Sequence, residues 1–137
     1  MEVTNAINLA NAGRTVQVDN NLATAGDFAT LSGVISSTTP ASGALTKTGT
    51  GTLALSGTNT YEGTTTISAG ALRAVSGTGL PTNSLLSLNG GVLEGSGVGS
   101  FTRNIANSPG NVFWTGNGGF AANGGKLTVT PQRCRRH

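Results

Sequence analysis

The sequence predicts an all-β chain wound as a parallel β-helix. Three observations predict it: a composition hostile to helix, apolar side chains alternating with small polar ones, and a return to equivalent positions about every 20 residues. The chain has 137 residues, enough for one domain, and 22 of them are Gly. Gly, Thr, Ser and Asn together make up about half of it. Gly costs about 1 kcal/mol per helical position relative to Ala, and Thr, Asn and Ser are also poor helix formers.

The alternation is local and repeated. Val16 and Val18 alternate with polar neighbours in RTVQVDN, and Leu53 and Leu55 in TLALSG. Leu86 and Leu88 do so in LLSLNGG, and Leu127 and Val129 in KLTVT. A period of two bounded by Gly and Asn describes a half-buried strand. The strand centres then recur. Leu53, Leu72 and Leu93 are 19 and 21 residues apart, Leu45, Ile67 and Leu86 are 22 and 19 apart, and Val16, Ile35 and Leu53 are 19 and 18 apart. Short strands, Gly and Asn corners and no helical half suit a β-helix, with roughly six or seven coils stacked about 4.8 Å apart. A sandwich or barrel of hairpins is the competing fold, because Asn89-Gly90, Asn117-Gly118 and Asn123-Gly124 are dipeptides favoured in two-residue hairpin turns.

Charge excludes several functions. Only 9% of residues are charged, and the net charge of +3 comes from Arg133, Arg135 and Arg136 in the final five residues. Residues 1–130 carry Arg14, Lys47, Arg73, Arg103 and Lys126 against Glu2, Asp19, Asp27, Glu62 and Glu94, a balanced and scattered set. A nucleic-acid partner needs a basic face, and none is written here. The single Cys134 and single His137 lie together at the end, so neither a disulfide framework nor a Cys- or His-based catalytic or metal centre is implied. The expectation is no cofactor and no metal. Asp19 and Asp27 beside Asn20 and Asn21 have the oxygen chemistry of a calcium loop, and equally that of ordinary turns. Neither GGFAANGGKL nor GSGVGS satisfies a nucleotide-binding glycine pattern.

The stretch LTKTGTGTLALSGTNTYEGTTTISAGALRAV, from Leu45 to Val75, is dense with ordered motif positions. These are Leu45, Lys47, Gly49, Gly51 and Leu53, then Gly57, Asn59, Tyr61 and Gly63, then Ile67, Gly70 and Leu72. The stretch resembles the autotransporter-associated β-strand repeat, the passenger-associated transport repeat of Gram-negative type V secretion. Weaker likeness extends over roughly 29–130. The resemblance implies a right-handed, single-stranded parallel β-helix, displayed at the cell surface or secreted across the outer membrane. It also implies a role in passenger folding and transport or in adhesion, without catalysis. Its implied partners are the rest of a passenger chain and a C-terminal membrane barrel not contained in this sequence.

The organisation expected is therefore a β-helix passenger fragment over 1–130, with its repeat core at 45–75, and an unstructured basic tail at 131–137. A host-surface or glycan ligand and edge-to-edge self-association are further expectations. A carbohydrate-active module is the alternative, though five acids and five bases scattered over the body make a clustered catalytic row improbable. Thr46, Thr48, Thr50 and Thr52 with Thr64–Thr66 form hydroxyl ranks that thin out downstream. Phe113 and Trp114 are adjacent, so they must face opposite sides of a strand. One of them fills the core, and the other is covered or offers a contact surface.

Overall fold

The computed structural model describes residues 1–133 except Ala25 and Pro40, and every regular element in them is a strand. The first windings hold β1 (Glu2–Val3), β2 (Ile7–Asn8) and β3 (Arg14–Gln17), then β4 (Phe28–Leu31), β5 (Ile35–Ser36) and β6 (Leu45–Thr48). The middle holds β7 (Thr52–Leu55), β8 (Thr65–Ile67), β9 (Ala71–Ala74) and β10 (Leu86–Leu88). The C-terminal part holds β11 (Val92–Ser96), β12 (Gly99–Phe101), β13 (Asn104–Ile105) and β14 (Val112–Trp114). It continues with β15 (Gly119–Asn123), β16 (Leu127–Val129) and β17 (Gln132–Arg133).

One sheet runs β1-β4-β7-β9-β11-β15 and the other β17-β13-β14-β10-β8-β6-β3. The pairs β2-β5 and β12-β16 form short third faces. All pairings between these strands are parallel. Parallel neighbours cannot be joined by a tight hairpin. The Asn-Gly dipeptides accordingly form corners between faces. Gly90 and Gly118 take φ of 121° and 139°, in the region open to glycine. The hairpin sandwich is thereby excluded, and the chain is a parallel β-solenoid.

The core is a set of aliphatic columns. Ala29, Leu53, Leu72, Leu93 and Phe120 stack in register through the first sheet. Leu53 and Leu72 are wholly buried. The second sheet contributes Leu45, Thr65, Leu86 and Val112 in one column, with Lys47, Ile67, Leu88 and Trp114 in the next.

Two of the three rows read from the sequence are corrected. Ile67 pairs with Lys47 and Leu88, and Thr65 takes the place between Leu45 and Leu86. Val16 pairs with Lys47, Ile35 with Ile7, and Leu53 with Ala29, so these three share no row. The reason is unequal winding. The step from Leu53 to Leu72 is 19 residues and that from Leu72 to Leu93 is 21. Upstream, the step from Arg14 to Leu45 is 31, because longer corners are inserted. Downstream, β14 inserts between β10 and β13, so chain order and stacking order part company there. Strand pairing also reaches past residue 130: β17 joins β13, and the Gln132 amide donates to the Arg103 carbonyl at 3.0 Å. The tail expected at 131–137 thus begins inside the described structure, while Cys134, Arg135, Arg136 and His137 lie outside the described residues.

Glycine serves close stacking at several corners. A Cβ on Gly57 would overlap the Gly33 carbonyl of the winding before it, and a Cβ on Gly63 would lie 2.7 Å from Ala44 N. Leu72→Ala should therefore cost about 2–5 kcal/mol by opening a cavity in the central column. Gly57→Ala should cost about 1–3 kcal/mol by forcing windings apart. Urea midpoints of the two variants check this, and an unchanged midpoint for either contradicts the stacking described.

Candidate functional site

Three of the motif residues, Lys47, Asn59 and Tyr61, place polar groups in the buried interior of these windings. Alternation places Lys47 on the same side of its strand as Leu45, so its side chain points inward and is fully buried. Its ammonium donates to the carbonyls of Thr48 (2.7 Å), Gly49 (2.8 Å) and Ala69 (3.2 Å). Three donors meet three acceptors, so a corner of one winding is tied to the corner of the next. Burial pushes the Lys47 ammonium below its ordinary value, and Asp19 pulls it partly back.

Asn59 replaces a strand on the third face. Its Oδ1 accepts the Ile35 amide at 2.8 Å, and its Nδ2 donates to the Gly79 carbonyl at 2.8 Å. One buried side chain thus bridges the winding before and the winding after. Tyr61 is also fully buried, its hydroxyl 2.8 Å from Thr65 Oγ1, which is in turn 2.8 Å from Ser84 Oγ. Ser84 Oγ donates to the Gly63 carbonyl at 2.6 Å. The hydroxyl chain crosses the core and ends on backbone, so it leaves no orphaned group. On the outside, Glu62 Oε2 accepts the Ala41 amide and Oε1 accepts from Asn83 Nδ2, again linking three windings. The Asn83 bond, then the Ala41 bond, hold the Glu62 carboxyl below its usual range.

Gly49 and Gly70 take left-handed φ of 77° and 63° at the motif's corners; Gly51, Gly57 and Gly63 do not, and close approach requires glycine at Gly57 and Gly63, while a Cβ on Gly51 would sit 3.0 Å from Val18. Leu45, Leu53, Ile67 and Leu72 are core. The structure therefore brings the whole motif into one scaffold and gives none of it an exposed reactive position.

Sequence reasoning missed Arg103, counted only as one of a balanced and scattered set of charges. It is buried, with Nη2 donating to the Pro81 carbonyl at 2.9 Å and Nη1 to the Ser84 carbonyl, and its guanidinium lies 5.6 Å from the Phe101 ring centre. Its place two residues after the core position Phe101 carries a weak signal, since Arg103 shares the inward parity of Phe101.

A second feature lies on the outer face of the first sheet. The outward column runs Glu2, Thr30, Ala54, Arg73, Glu94. Arg73 pairs with Glu94 at 3.2 Å and its guanidinium lies 5.9 Å from the centre of the Phe28 ring, which is 52% exposed. Small Ala54 between them leaves a groove of about 320 Å³, bordered by the hydroxyls of Thr30, Ser56, Thr78 and Ser96 and by exposed Val75. The 21-residue spacing of Arg73 and Glu94 equals the winding step, which is the signal that places them together.

The remaining candidates take structural places. Asp27 accepts the Asn21 amide (2.7 Å) and the Thr24 hydroxyl (2.9 Å), closing its own loop. Asp19 accepts from Gln17 Nε2. Thr15, Thr46, Thr66 and Ser87 do align across four windings, a longer hydroxyl rank than the sequence suggested. Trp114 turns inward, its ring 6.2 Å from Phe120 and its Nε1 donating to the Gly118 carbonyl at 3.2 Å. Phe113 occupies the outer face beside Ser87.

Stacked parallel windings, glycine corners and inward polar ties define a β-solenoid repeat segment. Residues 45–74 match the family model of the passenger-associated-transport-repeat, and the match covers 30 of the 137 residues. The comparison with curated proteins found no match, and neither did that with solved structures.

Two outcomes test the interior. Asn59→Ala leaves the Ile35 amide and Gly79 carbonyl without their partner, and should cost about 1–3 kcal/mol for each group left unsatisfied. Tyr61 is the chain's one tyrosine, and burial, opposed by its bond to Thr65, pushes its hydroxyl up from 10.0 to about 12. The unfolded chain releases that proton first, so Tyr61's contribution is intact below pH 10 and falls by about 1.4 kcal/mol per unit between the two values. Lys47 acts in the opposite sense, so the direct readout is phenolate absorbance. It should rise near pH 12 in the folded chain and near pH 10 in urea; coincident curves contradict the buried hydroxyl chain.

Proposed function

We propose that this chain is a non-catalytic structural segment of a surface-displayed or secreted passenger, whose role is to support passenger folding and transport. The observation that carries this reading is the concentration of inter-winding ties in 45–74, where Lys47, Asn59 and Glu62 each bond to a neighbouring winding. Windings that bond chiefly to their neighbours form a rigid rod that can grow directionally as chain emerges. Deleting residues 45–74 from a full-length passenger joined to its barrel should reduce surface display strongly. Undiminished display with lost cell adhesion would assign the segment to adhesion instead.

The groove at Phe28 favours a second reading, a surface for a neutral glycan. An exposed ring, a guanidinium already neutralised by Glu94 and a border of hydroxyls offer stacking and hydrogen bonds without net charge. Hydrolysis is a poorer fit. Paired carboxylates about 5–10 Å apart are needed, whereas Glu2 and Glu94 are four rungs apart in their column, about 19 Å. Phe28→Ala should abolish binding to a neutral oligosaccharide array while Phe113→Ala preserves it. Retention in Phe28→Ala with loss in Phe113→Ala would move the contact surface to the second sheet.

A further inference from the structure

Three Asn-Gly pairs occupy corners of this solenoid, and the structure treats each differently. Asn117 is exposed and its side chain has no hydrogen-bond partner among the described residues. The amide of Gly118 likewise donates to no backbone or side-chain acceptor among them. Asn89 is also exposed, but the Gly90 amide donates to the Asn117 carbonyl. Asn123 ends a strand, with Nδ2 held by Glu94 Oε1.

We propose that Asn117-Gly118 is a site of spontaneous deamidation, and that its reaction releases Asn89-Gly90 for the same reaction in turn. The deprotonated Gly118 nitrogen attacks Asn117 Cγ. The new N–C bond closes a five-membered imide as the Cγ–Nδ2 bond breaks, and the amide nitrogen leaves as ammonia. Water then opens the ring at either carbonyl, giving aspartate or isoaspartate. The net change is addition of one water and loss of one ammonia.

Glycine after the asparagine leaves the attacking nitrogen unshielded, and a free N–H can be deprotonated without breaking a hydrogen bond. Both conditions hold at Asn117. At Asn89 the attacking N–H is engaged, and at Asn123 the leaving amide is tied to a carboxylate.

The order follows from one bond. Isoaspartate formation routes the main chain through the former side chain and adds a methylene to the corner. The Asn117 carbonyl that holds the Gly90 amide then becomes part of a free carboxylate, no longer fixed by the chain. Gly90 N–H is released, and Asn89 acquires the geometry Asn117 had. The same corner reports the event. Gly118 O accepts the indole N–H of the chain's one tryptophan, so lengthening the corner alters Trp114 fluorescence.

The test is a time course of the intact chain in mildly alkaline buffer, read by peptide mass mapping with isoaspartate detection and by tryptophan emission. Asn117 should convert several-fold faster than the other two, with the emission change in step, and Asn89 should follow after a lag. In Asn117→Gln, whose longer side chain closes a ring poorly and whose main-chain carbonyl stays in place, Asn89 should slow to the rate of Asn123 and the emission should stay constant. In urea the three sites should react at similar rates and without a lag. Asn89 or Asn123 reacting first in the folded chain, or Asn89 converting equally fast in wild type and Asn117→Gln, overturns the proposal.

Discussion

Everything in this molecule follows from the distance at which one winding rests on the next. Parallel strands pair at about 4.8 Å, and that spacing is repeated along both long sheets. Aliphatic side chains at equivalent positions are thereby forced into contact and become columns such as Leu53, Leu72 and Leu93. The same spacing leaves no room for a Cβ where backbone crosses backbone, which is why Gly57 and Gly63 are glycine although their φ is open to other residues.

Corners are where such a stack has to solve a hydrogen-bonding problem. A strand satisfies its amides through the ladder, whereas a corner exposes carbonyls toward a dry interior. This chain answers with long polar side chains aimed inward. Lys47 collects three carbonyls, Arg103 takes two carbonyls and a hydroxyl, and Asn59 imitates a strand by accepting from one winding and donating to the next. These groups are costly to bury and still costlier to leave unpaired, so each specifies which windings are neighbours. Lys47 and Arg103 thus serve the interior, while the Arg73–Glu94 pair beside Phe28 remains at the surface.

The fold was legible in the sequence because its period is nearly constant over the repeat. Steps of 19 and 21 residues place Leu53, Leu72 and Leu93 correctly, and alternation identifies their strands. Outside that region the period lengthens, and fixed spacing mistook Val16 and Ile35 for members of one row. Ile67 was misplaced for a different reason: a hydroxyl residue, Thr65, holds the core position that spacing assigned to an aliphatic one. It does so because Tyr61 and Ser84 satisfy its hydroxyl, a relation between residues 19 positions apart that no local pattern reveals. Burial of Lys47 was readable from its parity with Leu45, but charge argued the other way. The groove was hidden because Phe28, Ala54 and Arg73 meet only through the register.

Register is therefore the property to measure. Thr52 pairs with Ala71 across the first sheet, at a separation that a disulfide can span. In a Cys134→Ser background, Thr52→Cys with Ala71→Cys should oxidise to an intramolecular bond, while Thr52→Cys with Arg73→Cys should not. Bonding of Thr52→Cys to Arg73→Cys in preference to Ala71→Cys would mean that the two strands are displaced by two residues, and the columns through Leu53 and Leu72 would be contradicted.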